Sequence, residues 1–417
     1  MEFAILGFGS RGQMFGRLIK NSEHKLVAVA DVVDKMLDKA NTDFGVDKEM
    51  CFKDVNDFFA KGKICDAIFI CTQDAQHYEM TMKALELGYD ICLEKPAAIN
   101  IEQCIAIRDE ANRLGRKVML THVLRYSPFY QCIKETIKSG VLGKIINLNQ
   151  NEYIAYWHFA LSFVRGPWRN MAESTPTIIA KCCHDLDIIL WLMDKECVSV
   201  SSTGRLNYFN PENAPEGSAK HCKDCSKEVK EKCLYNAYNI YPQRMKHPVL
   251  GGVAKYNGED IYDVLDGKKE EISKCIFHCS NTAIDNQSVQ MQFADGTLAN
   301  LTMTAFSEEC HRTIVVSGTK GEMWGDMEDG KLHLNIFGQD EVIIDASKRF
   351  NKSGVATSGG HGGGDFYLFR DFIDYVKDGQ TQSNTRTTIN QSIDSHLVGF
   401  LAEESRQKNG ERIFIKK

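Results

Sequence analysis

The sequence lacks the features that mark membrane proteins and nucleic-acid-binding proteins. None of its apolar runs reaches the roughly 20 residues that a membrane-spanning helix needs. It has no basic tract, and 50 basic against 56 acidic side chains give a formal charge of −6, which offers no net attraction to a polyanion. Its first residues lack the charged start and apolar stretch of a secretory leader. We therefore expect a soluble, cytoplasmic protein whose partners include neither nucleic acid nor a membrane.

The sequence also lacks internal repeats and the spacing of a small disulfide framework, although it contains 15 cysteines. Most of them lie in apolar segments, where thiols behave as small hydrophobic side chains. One group differs, because Cys222 and Cys225 form a C-x-x-C and, with Cys233 and Cys275, offer enough thiolates for a tetrahedral structural zinc site. The later cysteines have no C-x-x-C of their own, so scattered reduced thiols are an equally good interpretation.

The length of 417 residues favours two domains. Residues 1–122 alternate short β-branched runs with amphipathic helical stretches, which is typical of βαβ units around a parallel sheet. Residues 123–417 contain alternating strands of the open-sheet type, and a polar segment at about 210–274 predicts an insertion on that sheet. The predicted fold class is α/β, with an N-terminal Rossmann dinucleotide-binding domain and a C-terminal α+β domain. We expect that second domain to have an open, predominantly antiparallel sheet and to bind substrate.

Two predicted helices of the second domain bear on the function. An apolar stripe predicts one long helix over Thr177–Met193. A glycine-rich stretch, Ser358–Gly364, precedes Asp365, which is a good N-cap residue for a helix over Phe366–Val376.

A G-x-G-x-x-G fingerprint stands at the start of the chain, between a predicted buried strand and a predicted helix. Gly7 is expected to permit a tight turn, Gly9 to let a pyrophosphate approach the backbone, and Gly12 to let helix and strand pack closely. Ser10 and Arg11 begin the helix, whose free N–H groups face the phosphates. This arrangement predicts a dinucleotide cofactor.

Asp31 ends the second predicted strand, where an acidic side chain binds the ribose hydroxyls of NAD. It is followed by Val32 and Val33, so a 2′-phosphate would face a carboxylate without a basic partner close in sequence. NAD is therefore favoured over NADP, unless Arg11 compensates.

Further motifs follow the fingerprint along nearly the whole chain. They are Cys71-Thr72, His77, Glu94-Lys95-Pro96, Arg125-Tyr126-Ser127-Pro128, Gly140, Gly143 and Cys183-His184-Asp185-Leu186-Asp187. Together with the fingerprint they resemble the glucose–fructose oxidoreductase, inositol dehydrogenase and MocA family (Gfo/Idh/MocA). The resemblance implies cofactor contacts from Cys71, Thr72, His77, Glu94 and Lys95, and substrate contacts from Arg125 and Tyr126.

Hydride transfer from an alcohol needs one group to take the hydroxyl proton and another to hold the developing alkoxide. With the resemblance, this chemistry assigns His184 as acid/base and Lys95 as its proton partner and oxyanion donor. The family's pattern commonly has an aspartate four residues before this histidine, and Ala180 stands there in this chain. Lys181 lies three residues before His184 and is predicted to act as a hydroxyl-binding or catalytic donor. The alternatives are a core histidine at 184 and a snorkelling lysine at 181.

The segment before the long helix combines aromatic planes with hydrogen-bond donors, among them His158, Arg165 and Trp168. Such surfaces suit sugar rings, and the alternative is a loop at a subunit interface. Together with Lys181 and the cysteine-bearing insertion, this segment resembles a branch of the family that oxidises glycosides at the ring 3-hydroxyl.

The leading functional hypothesis is therefore an NAD-dependent dehydrogenase that moves hydride between nicotinamide and a hydroxyl-bearing carbon of a sugar or glycoside. One alternative is an NAD-dependent glycosidase that works by oxidation and elimination with a recycled cofactor. Another is a non-catalytic sugar- or NAD-binding regulator. A homo-oligomer is expected, because open sheets of this kind commonly pair face to face.

Overall fold

The computed structural model describes residues 1–244, 250, 260–267, 271–350, 361–378 and 383–416. Residues 245–249, 251–259 and 268–270 of the predicted insertion, and 358–360 of the glycine-rich stretch, lie outside this description. The chain divides into two compact units. The first comprises residues 1–146, 183–195 and 315–400, and the second comprises residues 147–182, 196–314 and 401–417.

The first unit is built on a six-stranded parallel sheet. Its strands are β1 (Glu2–Leu6), β2 (Lys25–Ala30), β3 (Cys51–Phe52), β4 (Ala67–Ile70), β5 (Asp90–Leu93) and β6 (Val118–Leu120). They are arranged in the order β3-β2-β1-β4-β5-β6, with parallel pairings throughout. The strand order reverses between β1 and β4, and cofactors bind at such a switch point. The predicted Rossmann domain is confirmed.

Helices connect these strands and cover both faces of the sheet. They are α1 (Ser10–Lys20), α2 (Asp34–Phe44), α3 (Val55–Ala60), α4 (Asp74–Glu86) and α5 (Ile101–Leu114). Successive residues of β4 point to opposite faces, so Ile68 and Ile70 enter one buried cluster while Ala67 and Phe69 enter the other. A strand buried on both sides reads as a continuous apolar run, which is why the sequence pattern identified this sheet.

The rest of the chain contributes helices and a second set of strands. In chain order these are α6 (Pro128–Ser139), β7 (Ile145–Ala155), α7 (Tyr156–Phe159), α8 (Thr177–Ala180), α9 (Cys183–Met193), β8 (Cys197–Arg205), α10 (Lys227–Lys232), α11 (Ala237–Ile240), α12 (Ile261–Asp266), β9 (Asn286–Phe293), β10 (Leu298–Ser307), β11 (His311–Gly318), β12 (Gly321–Asp326), β13 (Lys331–Ile336), β14 (Val342–Asp345), α13 (Ala346–Phe350), α14 (Gly364–Lys377), α15 (Ile389–Gln407) and β15 (Ile413–Phe414). Within the described ranges, no helix has both the length and the apolar character to cross a membrane.

The strands of the second unit form a mixed sheet. Strands β7 and β10 pair in parallel, whereas the neighbouring pairs β10/β9, β9/β8 and β8/β15 are antiparallel. In the first unit, β12, β13 and β14 pair antiparallel. The predicted α/β class, with a largely antiparallel C-terminal sheet, is confirmed, and the β7/β10 pair makes that sheet mixed.

Two helix predictions were wrong at their boundaries. The predicted helix Thr177–Met193 is interrupted at Lys181 and Cys182, where the chain passes from the second unit to the first. Helix α14 begins at Gly364, after Gly363 with its φ of 82°. Asp365 therefore lies inside the first turn and is not the N-cap. Its carboxylate belongs to a side-chain network described below.

Candidate active site

The carboxyl ends of the parallel strands carry most of the predicted cofactor residues. Gly7 follows β1, Asp31 follows β2, Cys71 follows β4, and Glu94 follows β5. Thr121 follows β6 in the same way. Because these ends meet at one edge of the sheet, the fold brings the five positions to the edge where a dinucleotide binds.

The fingerprint glycines differ in what the surrounding protein demands of them. A Cβ added at Gly7, whose φ is +86°, would lie 2.7 Å from the Cys71 carbonyl carbon, and a Cβ at Gly12 would lie 2.1 Å from the Gly7 oxygen. At Gly9, with φ of −67°, no atom of the described chain lies within 4 Å of an added Cβ. Protein packing thus requires the glycines at 7 and 12, whereas Gly9 leaves space of the kind that a pyrophosphate uses.

Gly9→Ala is therefore expected to weaken NAD binding without unfolding the protein. The added methyl group meets space rather than protein, and an alanine at this N-cap position costs at most about 1 kcal/mol of stability. We expect the NAD dissociation constant, measured by calorimetric titration, to rise at least about tenfold, with a melting temperature close to wild type. Gly12→Ala, the control, should lower the melting temperature strongly. An unchanged dissociation constant in Gly9→Ala would remove the proposed pyrophosphate position.

Asp31 is held beside the fingerprint turn by two backbone donors. Its carboxylate accepts hydrogen bonds from the Phe8 N–H at 2.6 Å and the Val33 N–H at 2.9 Å. Burial raises the pKa of Asp31, and the two hydrogen bonds partly oppose that shift. The side chain is thus oriented at the end of β2, where an acidic residue binds ribose hydroxyls in this fold.

The Arg11 guanidinium forms ion pairs with two carboxylates. Its Nε lies 2.5 Å from Glu94 Oε1, and its Nη1 lies 2.8 Å from Asp365 Oδ1. Burial acts to raise the pKa of both acids, but Arg11 overcomes it and leaves both below their ordinary values. The expectation that Arg11 could compensate a 2′-phosphate therefore has no support from these contacts.

Hydrogen bonds at the carboxyl ends of β4, β5 and β6 hold the Lys95 backbone and the His77 ring. The Lys95 N–H lies 3.2 Å from both Glu94 Oε2 and Thr121 Oγ1, and the Lys95–Pro96 peptide bond is cis. The buried His77 ring lies with Nδ1 2.7 Å from the Pro96 oxygen and Nε2 3.1 Å from the Thr72 oxygen. His77 thus braces the segments that carry Thr72 and Lys95.

His184 lies in the first turn of α9, and two other imidazoles lie near it. Its ring centroid is 5.8 Å from that of His122, edge to face, and 5.7 Å from that of His361. His122 Nδ1 lies 2.9 Å from Asp187 Oδ1, and His361 Nδ1 lies 2.9 Å from Asp365 Oδ2. Each of these two imidazoles is therefore paired with a carboxylate.

The Lys95 ammonium acts electrostatically on residues near His184 in the first unit. Burial raises the pKa of Cys183 to about 12, and the Lys95 ammonium acts in the opposite direction. Lys95 also acts on His396, whose ring stacks on His122 at 5.5 Å. The Ala97 N–H, two residues after Lys95, also donates to His396 Nε2 at 3.0 Å, so the segment that carries Lys95 contacts the histidine cluster.

His396 gives the first unit a predictable response to acid. Its Nε2 accepts a hydrogen bond from the Ala97 N–H at 3.0 Å, and burial, with His122, lowers its pKa from 6.5 to about 3. The unfolded chain therefore binds a proton that the folded chain refuses between about pH 6.5 and pH 3. The contribution of His396 to the free energy of unfolding is therefore fully present above this window. It decreases as the pH is lowered through the window, by up to about 1.4 kcal/mol per pH unit.

We expect His396→Gln to flatten this part of the stability profile, because the amide oxygen can accept the same hydrogen bond but does not titrate. Urea unfolding at pH 7 and pH 5 would measure the difference. An equal loss of stability in both proteins would assign the acid sensitivity to other groups.

Arg125 and Tyr126, predicted to contact substrate, are engaged within the first unit instead. The buried Arg125 guanidinium forms a two-pronged pair with Asp187, at 2.7 and 2.6 Å. Burial acts to raise the pKa of Asp187, but Arg125 and His122 lower it to about 2. The Tyr126 hydroxyl donates to Asp371 at 2.8 Å. These contacts give both residues a scaffolding role and leave the substrate-binding prediction without support.

Lys181 lies in the second unit and forms a buried ion pair. Its Nζ is 3.1 Å from Glu152 Oε1, while Arg312 Nε lies 2.7 Å from the other oxygen of the fully buried Glu152. Burial acts to lower the pKa of Lys181, but Glu152 raises it overall. Lys181 is thus a fixed cation, and the break between α8 and α9 removes the helical spacing from which its alignment with His184 was predicted.

The three predicted substrate residues of the second unit are placed differently from one another. The buried Arg165 donates to the Lys274 oxygen at 2.6 Å and to the Tyr241 hydroxyl at 2.6 Å, so it organises the predicted insertion. His158 Nδ1 lies 3.4 Å from Cys310 Sγ, and Trp168 packs on Phe163 at 5.9 Å. His158 and Trp168 remain partly exposed, whereas Arg165 has no support as a substrate ligand.

The zinc prediction is not supported. Among the residues that the structure describes, no group of three or more histidine, cysteine or acidic side chains is arranged to hold a metal. Cys222, Cys225, Cys233 and Cys275 line one small cavity together with Arg165, whose Nη2 lies 3.6 Å from Cys222 Sγ. None of the 15 cysteines, all of which lie in the described ranges, forms a disulfide.

Sequence reasoning missed three residues of the cluster around His184. His122 lies just beyond the end of β6, and end-of-strand position is a signal that could have found it. His361 and Asp365 are four residues apart at the start of α14, but no sequence pattern linked that helix to Arg11 or to His184.

Comparison with known proteins gives two family matches. Residues 1–122 match the Gfo/Idh/MocA model of an oxidoreductase family with an NAD-binding Rossmann fold. Residues 134–410 match the model of that family's C-terminal alpha/beta domain. The two matched ranges together cover most of the chain.

Two relatives illustrate the sequence similarity. A candidate oxidoreductase of Bacillus subtilis, YteT, is 25% identical over 321 residues, which cover 74% of this chain and 72% of that protein. The inositol 2-dehydrogenase/D-chiro-inositol 3-dehydrogenase of Lactiplantibacillus plantarum is 28% identical over 203 residues, or 48% of this chain. The match spans only 54% of that enzyme's length.

Solved structures share the fold at low sequence identity. The Azotobacter vinelandii inositol dehydrogenase homologue, complexed with NADH and myo-inositol, superposes with a TM-score of 0.71 at 15% identity, covering 100% of this chain and 97% of that one. The WlbA dehydrogenase of Chromobacterium violaceum, complexed with NADH and UDP-GlcNAcA, gives a TM-score of 0.69 at 14% identity, covering 100% and 96%. At these identities the likeness establishes the fold.

Proposed function

This chain belongs to the Gfo/Idh/MocA family of NAD-binding oxidoreductases, and from that premise we propose that it is an NAD-dependent dehydrogenase of a sugar or glycoside. The observation that carries the proposal is the contact of the segment after Lys95 with the histidine cluster around His184, in the unit that holds the fingerprint. A protein that only bound a nucleotide would have no use for an amine and an imidazole placed for proton transfer.

The residues would divide the reaction as follows. The nicotinamide ring, when bound, supplies the hydride acceptor for the substrate carbon. His184 takes the proton from the substrate hydroxyl oxygen onto a ring nitrogen, and the Lys95 ammonium donates a hydrogen bond to that oxygen as negative charge develops. Lys181, kept charged by Glu152, is suited to donate to a hydroxyl but not to exchange a proton near neutral pH.

We infer that the cofactor is NAD rather than NADP. The Asp31 carboxylate is fixed at the end of β2, and Arg11, the nearby base, is neutralised by Glu94 and Asp365. A 2′-phosphate would therefore meet negative charge without a spare cation from Arg11.

The substrate class is proposed from the relatives and from the second unit. Named relatives act on inositols, which are ring polyols. His158 and Trp168 offer a partly exposed donor and an aromatic plane, which suits a sugar ring or a glycoside oxidised at its 3-hydroxyl.

We also infer a homo-oligomer from the apolar surface of the first unit. Phe337, Val342 and Ile343 are more than half exposed on or beside strands β13 and β14, and apolar groups of this kind commonly mark interfaces. A monomeric mass in light scattering would contradict this inference.

The function can be tested with the purified protein and a panel of inositols, sugars and glycosides. A dehydrogenase accumulates NADH in step with a ketone product. Release of free aglycone at constant NAD would instead identify a glycosidase with a recycled cofactor. Binding of NAD and sugar with neither product would leave a regulator and reject the proposal.

A further inference from the structure

The two imidazoles beside His184 are not equivalent. His122 is fully buried, and its carboxylate partner Asp187 is also paired with Arg125. His361 keeps 29% of its side chain exposed, and its partner Asp365 keeps 23%. His122 is therefore part of the packed scaffold, whereas the His361–Asp365 pair reaches solvent.

The exposed pair is connected to the cofactor-binding helix. Asp365 receives His361 Nδ1 at 2.9 Å on one oxygen and Arg11 Nη1 at 2.8 Å on the other. Arg11 stands in the first turn of α1, within the fingerprint, and also binds Glu94, the neighbour of Lys95. A chain of direct contacts thus leads from the phosphate-binding turn through Arg11, Asp365 and His361 to the His184 ring.

We propose that His361, oriented by Asp365, is a positioning residue that sets the tautomer and ring orientation of His184. The proposal deepens the proposed function and rests on it for its catalytic part. The positioning pair thus consists of a histidine that precedes α14 and an aspartate in the first turn of that helix.

The proton arrangement follows from the pairing. Asp365 accepts from Nδ1 of His361, so a neutral His361 presents Nε2 as an acceptor. A ring separation of 5.7 Å allows His184 to donate to that nitrogen directly or through one bridging water. The second nitrogen of His184 is then a lone-pair base that bonds the proton leaving the substrate hydroxyl. Asp365 offsets the positive charge that this proton brings.

One test reads the His184 ring without any substrate. Nitrogen-15 NMR of histidine-labelled protein reports the tautomer of each ring. We expect the His184 ring signals to change in His361→Gln and in Asp365→Asn. The matched control is His333→Gln, because His333 in the same unit also pairs with a carboxylate, Glu341 at 3.2 Å, at a similar exposure of 21%. Unchanged His184 signals in His361→Gln would overturn the proposal, whether or not the enzyme function holds.

A second test reads turnover in the full-length enzyme. His361→Gln should lower kcat at least about tenfold, a part of the 10²–10⁴-fold that a positioned acid–base contributes. KM and the NAD dissociation constant should stay within about twofold of wild type, as befits loss of an interaction that acts on the chemical step. His361→Ala should regain turnover when imidazole is added.

The outcomes separate the two hypotheses. A wild-type kcat in His361→Gln overturns the positioning role. If wild-type protein oxidises no member of the panel, the proposed function fails, and the NMR result still decides whether His361 orients His184. Should His361→Gln fold poorly, Asp365→Asn, which keeps the imidazole, gives the same two readouts.

Discussion

Lys95→Met is expected to lower kcat by about 10²–10⁴-fold, the range for loss of a positioned acid–base group. Methionine keeps the length and the apolar stem of lysine but carries neither the proton nor the positive charge. The backbone of residue 95 is held by Glu94 and Thr121 through its N–H, so the substitution leaves the anchoring contacts in place. The NAD dissociation constant and the melting temperature should therefore change little, and steady-state NADH formation measures the effect.

A second substitution at this position tells the two roles of Lys95 apart. Arginine keeps the charge and the donors but does not lose its proton in proteins. If Lys95 serves only as an oxyanion donor, Lys95→Arg retains much of the activity that Lys95→Met loses. If Lys95 exchanges a proton, the two variants are equally impaired.

Lys53→Met is the matched control for Lys95. Lys53 is an exposed lysine of the same unit that pairs with Asp34, and it has no contact with the histidine cluster in the described structure. It should turn over like wild type. A Lys95→Met enzyme that kept wild-type kcat would exclude Lys95 from the chemistry and leave the grouping with His184 without a function.

The Rossmann sheet and its cofactor turn were predictable because local signals determine them. Buried parallel strands read as apolar runs. At positions 7 and 12 only glycine fits, because a Cβ there would clash with nearby backbone atoms. The position of Asp31 was predictable for a similar reason. It directly follows β2, and the βαβ pattern tells which strands lie beside β2.

The side-chain partners were not predictable in the same way. Arg125, Tyr126 and Arg165 have the chemistry of sugar-binding residues, and only the fold reveals that each already has a partner within the protein. A residue type indicates what a side chain can bind, whereas its neighbours determine whether it is available.

The sequence predicted that Lys181 and His184 share one face of a helix, and this was wrong for a geometric reason. A three-residue spacing aligns two side chains only within one continuous helix, but α8 ends at Ala180, with the Lys181 N–H bonded to the Thr177 oxygen at 2.9 Å, and α9 begins at Cys183. His361 and Asp365 were missed for the opposite reason, because their partners Arg11 and His184 are distant in sequence. Long-range pairs of this kind leave no periodic signal in a single sequence.

Asp187 is the residue whose loss should cost the first unit most stability. Its carboxylate is the shared partner of Arg125 and His122, and all three side chains are buried. Removing one member of a buried ion pair leaves an uncompensated charge, which typically costs about 3–5 kcal/mol. We expect Asp187→Asn to lower the free energy of unfolding by that amount at pH 7, measured by urea denaturation.

The contribution of Asp187 to stability also has a predictable pH dependence. The pKa of Asp187 is lowered from 3.8 to about 2, so its contribution is fully present above pH 3.8 and is lost only as the pH falls toward 2. The titration of Asp187 itself should therefore add no difference between wild type and Asp187→Asn from pH 7 to pH 5. This constancy distinguishes Asp187 from His396, whose effect grows across that interval.

Two further variants test whether the cost comes from the stranded charge of Arg125. Asp194→Asn changes an exposed aspartate at the end of α9, paired with Lys134 at 3.5 Å, and should alter stability by less than about 1 kcal/mol. Arg125→Met combined with Asp187→Asn should recover part of the loss, because the double variant leaves no buried guanidinium without a partner. If the double variant were as unstable as the sum of the single ones, the stability of this region would rest on packing, and the pairing of Asp187 with Arg125 would contribute little.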